Sequence, residues 1–298
     1  MSRKEDMKES GVSIVIGSYN RKRFLKLTIE SIRKELEKAE FPSEIIVVDG
    51  GSNDGTLRWL AKQKDIITII QFNRGKWKGK TITRRSWGYF MNLGFKSSQG
   101  KYICMLSDDC LVIPGAIING YKLFEQKLKE GVKLGAMAFY WRNWLEQESY
   151  WVGLTLGSKM FVNHGLYLRK AVEEVDFIDE DTYLFYHADG DLCLKLWNSG
   201  YSCIDSKDSF MEHYSHSGFT VRKSNLENQK KDWENYLKRW DGILFDSQND
   251  TKGGWLYKDF DDKENTARKF IKANYFRYFF TKFIYLKIAK KFLKNKTL

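Results

Sequence analysis

Apolar residues fall along this chain in short runs that alternate with amphipathic stretches, the spacing switching each time between about two and about 3.6 residues. Residues 12–16 (VSIVI) form a β-branched run that stops at Gly17-Ser18-Tyr19-Asn20, and Phe24, Leu27, Ile32 and Leu36 follow at helical spacing. Residues 44–48 (EIIVV) repeat the device, ending in the loop DGGSNDGT (49–56) before a helical stretch over 57–63. A third strand is expected at 66–72, a helix at 87–97, and a fourth strand that climbs to Leu106 and stops at Ser107, Asp108 and Asp109. Strands alternating with helices, the first two opened by polar Gly-rich loops, predict an α/β fold with an open, mostly parallel sheet and helices on both faces. Ligands of such sheets lie at the carboxyl ends of the strands. Two carboxylates placed there are costly to bury unless paired or bound to a cation, which suggests oxygen ligands for Mg²⁺ or Mn²⁺; the competing reading is a solvated turn leading through Pro114 into the next helix.

Neither glycine loop supplies G-x-G-x-x-G, and there is no P-loop. Both loops instead offer hydroxyl, amide and carboxylate groups, suited to reading a base and ribose. Arg84 and Arg85, just before the 87–97 helix, are candidates to clamp a diphosphate. The aromatic segment 139–151 (FYWRNWLEQESYW) is more polar than a core strand. Trp141, Trp144 and Trp151 there suit either stacking on a sugar face or core packing. Beyond residue 222 strand character fades into a polar helix (227–237) and a loop (246–254).

Charge sharpens the picture. The net charge is +12, and residues 268–298 hold ten Lys or Arg and no Asp or Glu, so the preceding body is nearly balanced. A local basic tail is not the spread basic face of a nucleic-acid-binding fold; no nucleic-acid partner is expected, and an anionic membrane surface is. Tyr285, Ile288, Ala289 and Phe292 fall on one helical face, with Lys287, Lys290, Lys291 and Lys294 opposite, the pattern of an interfacial helix; a helix packed on the body with a solvated lysine face is the alternative. No apolar stretch reaches about 18 residues, no signal peptide is visible, and the four cysteines lack CxxC pairing. These features predict a cytoplasmic protein, peripheral on the inner face of the membrane. The expected division is a catalytic domain over 1–222, a helical and loop extension over 223–267, and the basic amphipathic tail over 268–298.

The stretches VSIVIGSYNRKRFLKLTIESI, SEIIVVDGGSNDGT, NLGFKSSQGKYICMLSDDCLVIPGAI and FIDEDTYLFYHADGDLCLKLWNSGY, in that order and spacing, resemble the signatures of the inverting family-2 glycosyltransferases with the GT-A fold, across roughly residues 11–220. The resemblance implies transfer of a sugar from a UDP- or dTDP-linked donor to a hydroxyl of a glycan, lipid-linked or part of a cell-surface polysaccharide, with Mg²⁺ or Mn²⁺ assisting. It places Ser18, Tyr19, Asn20, Asp49, Ser52 and Asp54 at the nucleotide, with capping of the following helix as the other role open to Asp49 and Ser52. Ser107 and Asp108 would lie near the ribose or sugar. Asp109 becomes the principal metal ligand, His213 joins it, and His216 is a weaker second candidate. Asp189 is implied as the base that deprotonates the acceptor, with Asp191 either exchanging roles with it or serving as a helix N-cap. Two departures, Ser107 in place of the first Asp of Asp-x-Asp and Ala188 in place of a Glu before Asp189, keep a catalytically inactive glycan- or nucleotide-binding module open.

Overall fold

The computed structural model describes residues 3–144, 146–214 and 225–273. After a short helix α1 (Arg3–Ser10), the first half of the chain runs β1 (Val12–Ser18), α2 (Lys22–Leu36), β2 (Ser43–Asp49), α3 (Thr56–Leu60), β3 (Ile66–Ile70), a small hairpin of β4 (Lys76–Trp77) and β5 (Lys80–Thr81), α4 (Trp87–Ser97) and β6 (Tyr102–Ser107). Strands β6, β1, β2 and β3 are parallel neighbours, as the alternation predicts.

Successive side chains of these strands bury on opposite faces: Val15, Ile46 and Ile103 in one core, Ile14, Ile16, Val47 and Cys104 in the other. Helix α2 covers one face with Leu25, Ile29 and Ile32, spaced i, i+4, i+7. Helix α4 covers the other; Ser86 Oγ accepts from Tyr89 N–H at 3.0 Å to cap its start. Gly94 is what lets α4 settle so closely, because a Cβ there would stand 2.5 Å from Val15 Cγ1.

The second half is antiparallel in large part, which the sequence pattern did not convey. It comprises β7 (Cys110–Val112), α5 (Ala116–Lys129), β8 (Leu134–Asn143), β9 (Tyr150–Leu154), β10 (Gly165–Leu168), α6 (Arg169–Glu174), α7 (Ala188–Asn198), β11 (Ser202–His213), α8 (Gln229–Trp240), β12 (Gly254–Lys258) and a last helix α9 (Lys269–Ala273). Strand β10 joins β6 and β8 antiparallel, and β9 and β12 extend that edge. Strand β11 lies parallel to β8 and antiparallel to β7. One expectation changes, and one left open is narrowed. Strand character does return beyond residue 222, in β12, whose Trp255, Leu256 and Tyr257 are exposed and so carry no buried-face alternation. The 139–151 aromatics are packed: Trp141 and Trp151 rings lie 3.8 Å apart, and Trp144 meets Phe270 at 6.1 Å.

Helix α5 begins on a buried anion. The Glu35 carboxylate, carried by α2, accepts from Gly115, Ile117 and Ile118 N–H at 2.7, 3.0 and 3.0 Å. Orphan amides and the positive end of the helix dipole thereby find a partner across the fold.

Candidate functional site

Pairing in the parallel half brings the carboxyl ends together: Gly17 lies opposite Ser107, and Ser18 opposite Asp49. Ser18 Oγ donates to Asp108 Oδ2 at 2.8 Å. Arg21, in the loop entering α2, was not singled out from the sequence, yet its Nη1 donates to Asp108 Oδ1 at 2.8 Å and to Asp109 Oδ2 at 2.9 Å. Both carboxylates are 3% exposed. Burial pushes Asp108 up to about 6, with Asp109 adding to the rise and Arg21 opposing it. For Arg21 burial pulls the other way, but the two carboxylate charges outweigh it and hold the guanidinium above its ordinary pKa. The only sequence signal for this role was an arginine directly after Tyr19-Asn20.

The two glycine loops are laced to each other. Asn20, at φ 54°, donates its N–H to Ser52 Oγ at 2.8 Å and accepts from Asn53 N–H through Oδ1 at 2.8 Å. Asp49 is fully buried; Oδ1 accepts from Gly51 and Ser52 N–H, and Oδ2 from Ser52 Oγ. Burial raises its pKa against those hydrogen bonds. Asp54 accepts from Lys22 N–H at the start of α2, and from Thr56. Tyr19 lies under the Arg74 guanidinium at 5.5 Å. Its ring packs where a Cβ on Gly50 would stand 3.1 Å away, so the two loops close on each other there. Arg84 Nη2 donates to Asn225 Oδ1 at 2.5 Å, while Arg85 stacks on Tyr89 at 5.0 Å.

Asp109, Cys110 and His213 have ligand atoms within 4.8 Å of one another. His213 Nε2 lies 3.4 Å from Asp109 Oδ1, and its Nδ1 lies 2.5 Å from Asn143 Oδ1. If Nδ1 carries the proton and donates to that amide oxygen, Nε2 turns a lone pair toward the carboxylate. An arrangement of that kind suits a divalent cation. His216 lies outside the described residues. Deeper in, Cys110 Sγ is 2.9 Å from His164 Nε2, and burial, with His213 adding to it, takes the His164 pKa down to about 3.

On the other side of the sheet edge, Asp189 is half-buried in the first turn of α7. Its Oδ2 accepts from Asn163 Nδ2 at 2.8 Å and its Oδ1 from Gly190 N–H at 2.9 Å. Asp191 is not the N-cap of α7, a position held by His187 at φ 66°. It lies inside the helix, wholly buried, accepting from Tyr183 OH at 3.0 Å and Trp240 Nε1 at 2.9 Å, with Arg239 Nε at 3.2 Å. Asp232 on α8, also missed from the sequence, accepts from Leu184, Phe185 and Tyr186 N–H, each at 2.9 Å, and so fixes the loop that leads to His187 and Asp189. A cleft of about 480 Å³ opens there, lined by His187, Leu226, Gln229, Lys230 and Trp233.

Among solved structures, S. aureus TarS 1-349 superposes with TM-score 0.53 at 15% identity, over 80% of this chain and 73% of that one. The mannosyltransferase PcManGT from Pyrobaculum calidifontis, solved with GDP-Man and Mn²⁺, superposes with TM-score 0.55 at 15% identity, over 78% of this chain and 67% of that one. At such identity the likeness establishes the fold, the GT-A type. In sequence, the chondroitin synthase of Pasteurella multocida (strain Pm70) is 28% identical over 111 residues, 36% of this chain and 10% of that protein. The putative glycosyltransferase CsbB of Bacillus subtilis (strain 168) is 31% identical over 106 residues, 35% of this chain and 30% of that protein. The chain thus spans less than a third of the length of these curated relatives. Residues 13–171, more than half of the chain, match the family described as Glycosyl transferase family 2, and the protein belongs to that family.

Proposed function

We propose that the protein is an inverting glycosyltransferase that moves a sugar from a nucleoside-diphosphate donor to a hydroxyl of a glycan. The observation that carries this reading is the meeting of Asp109 Oδ1 and His213 Nε2 at 3.4 Å beside Asp108, at the carboxyl edge of the parallel strands. Support comes from a TarS structure that holds UDP-GlcNAc, with TM-score 0.51 at 14% identity, and from GDP-Man and Mn²⁺ in PcManGT. Tyr19, Asn20, Asp49, Ser52 and Asp54 shape the nucleotide cleft; Asp49 does so chiefly by holding its own loop, since both its oxygens already accept from that loop. Ser18, Ser107 and Asp108 lie toward the ribose and sugar. Arg84 and Arg85 serve in this reading as the cations for the diphosphate.

Asp109 and His213 would hold Mg²⁺ or Mn²⁺, which when bound offsets the negative charge growing on the departing nucleoside diphosphate. Asp189 takes the proton from the acceptor hydroxyl as that oxygen attacks the anomeric carbon from the face opposite the nucleotide. Asn163 and the Gly190 amide orient its carboxylate, each engaging one oxygen and leaving room for a further hydrogen bond. Asp191 has no such access and supports α7 from within. The cleft lined by His187, Leu226, Gln229, Lys230 and Trp233 offers apolar and polar surface to an acceptor sugar. We place the acceptor on a lipid at the inner membrane face, with the basic tail as the tether; its residues 274–298 lie outside the described ones, and no helix among the described residues is long and apolar enough to cross a membrane.

The test is a donor screen with UDP-, dTDP- and GDP-sugars, followed by Asp189→Asn. Hydrolysis or transfer from one donor, lost in the variant while donor binding persists, is the expected result. Binding without turnover of any donor would favour the inactive module that Ser107 and Ala188 suggest, and no binding at all would remove the nucleotide reading.

A further inference from the structure

Position 110 is not among the residues to which the proposed function assigns a role, yet the fold places its sulfur at the metal pair. Strand β7 runs antiparallel to β11 with Cys110 directly opposite His213, and His213 is in turn paired with Asn143 of β8. Directly paired residues project to the same face of a sheet. The register therefore sets a thiol beside the imidazole, and Asp109, one residue before Cys110, brings its Oδ1 to 3.4 Å from His213 Nε2. Arg21 engages Asp109 through Oδ2, and the oxygen on the His213 side is Oδ1.

We propose that Asp109, Cys110 and His213 form a three-ligand oxygen, sulfur and nitrogen site that takes a borderline transition metal, Zn²⁺ or Co²⁺, in preference to Mg²⁺, with Cys110 bound as the thiolate. This rests on the reading of Asp109 and His213 as the metal pair and adds which metal they favour. In a tetrahedral zinc site the metal lies roughly 2.0–2.3 Å from each ligand, so ligand atoms stand about 3.3–3.7 Å apart. The three atoms here, all within 4.8 Å of one another, reach that spacing by side-chain adjustment of about an ångström. On binding, the Cys110 sulfur exchanges its 2.9 Å contact with His164 Nε2 for the metal, and three protein ligands leave the fourth position of such a site to a further ligand. Thiolate selects against the hard Mg²⁺ ion and for softer ones. Binding breaks the Cys110 S–H bond and forms a metal–sulfur bond, and the proton leaves to the buffer. Asn143 Oδ1, on the far nitrogen of His213, orients the ring as outer partners of ligating histidines do.

The test uses the full chain, stripped of metal by chelation and titrated with Co²⁺. We expect a sulfur-to-cobalt charge-transfer band in the near ultraviolet that saturates at one metal per chain, together with release of one proton in weak buffer and no displacement by millimolar Mg²⁺. Cys110→Ser should lose the charge-transfer band and keep weaker cobalt binding; Cys104, Cys193 and Cys203 remain in that variant as internal controls. Zinc-edge X-ray absorption of the unmodified protein gives the same answer without a variant, one sulfur scatterer being expected. Cobalt visible bands that vanish in His213→Ala but carry no sulfur transition would overturn the sulfur ligand and leave the proposed function standing. Failure to bind cobalt or manganese, with or without UDP, would remove the metal pair itself.

Discussion

Replacing Arg21 with methionine keeps the length and the apolar stem and removes the charge that two buried carboxylates share. The pair is tight: 2.8 and 2.9 Å to acids whose side chains are 4% exposed, from an arginine side chain 19% exposed. Removing one partner of such a cluster costs about 3–5 kcal/mol, because the other charges stay buried. The cost depends on pH, and its sign follows from Asp108. Its folded pKa, about 6, lies above the ordinary carboxylate value, so between roughly pH 4 and 6 the folded state holds more protons than the unfolded one. The resulting penalty is absent below about pH 4 and complete above about pH 6, where a shift of that size is worth about 3 kcal/mol. Without Arg21 the folded pKa moves higher still, so the penalty deepens and its upper limit shifts upward. Urea unfolding of both proteins at pH 5 and pH 8 in low salt should therefore show Arg21→Met destabilised by several kcal/mol at pH 8 and by clearly less at pH 5. Mn²⁺ should recover part of the loss at pH 8. A variant as stable as the parent at pH 8, or a loss equal at both pH values, would refute the account of Arg21 as the counter-charge of this site.

Gly94→Ala should destabilise the fold by about 1–3 kcal/mol in the same assay, since its methyl would press on Val15 and Val48 where α4 lies on the sheet. Asp232→Ala leaves three backbone N–H groups without their acceptor; turnover should fall by about tenfold or more and the donor Kd should move less, because the loop it frees leads into α7 and Asp189. For the tail, the truncation belongs after Ala273, because Ala267 and Phe270 are buried against Phe24, Leu111 and Tyr214. The shortened protein should keep activity on a soluble acceptor, lose activity on a lipid-embedded one, and fail to sediment with anionic liposomes at low salt; unchanged sedimentation would return the tail to ordinary packing.

What the sequence alone determined is the part governed by neighbours along the chain. The β-branched runs of β1 and β2 and the apolar spacing of α2 each stabilise a local conformation, and the alternation of strands and helices leads to a parallel sheet with polar loops at its edge. Ser18, Asn20, Asp49, Asp108 and Asp109 lie at or just past the ends of strands, in the stretches that carry the family resemblance. Tertiary structure decided how each of these side chains is used. Asp49 turned out to be held by its own loop, and Asp191 to be sealed in the core by Tyr183, Arg239 and Trp240. Arg21 reaches acids 87 and 88 residues away, and Cys110 meets His213 only because β7 pairs with β11 in one register. Such contacts arise from long-range pairing, whose register is fixed by which faces the whole sheet buries. That energy is summed over the assembled core, so no local window of sequence holds it.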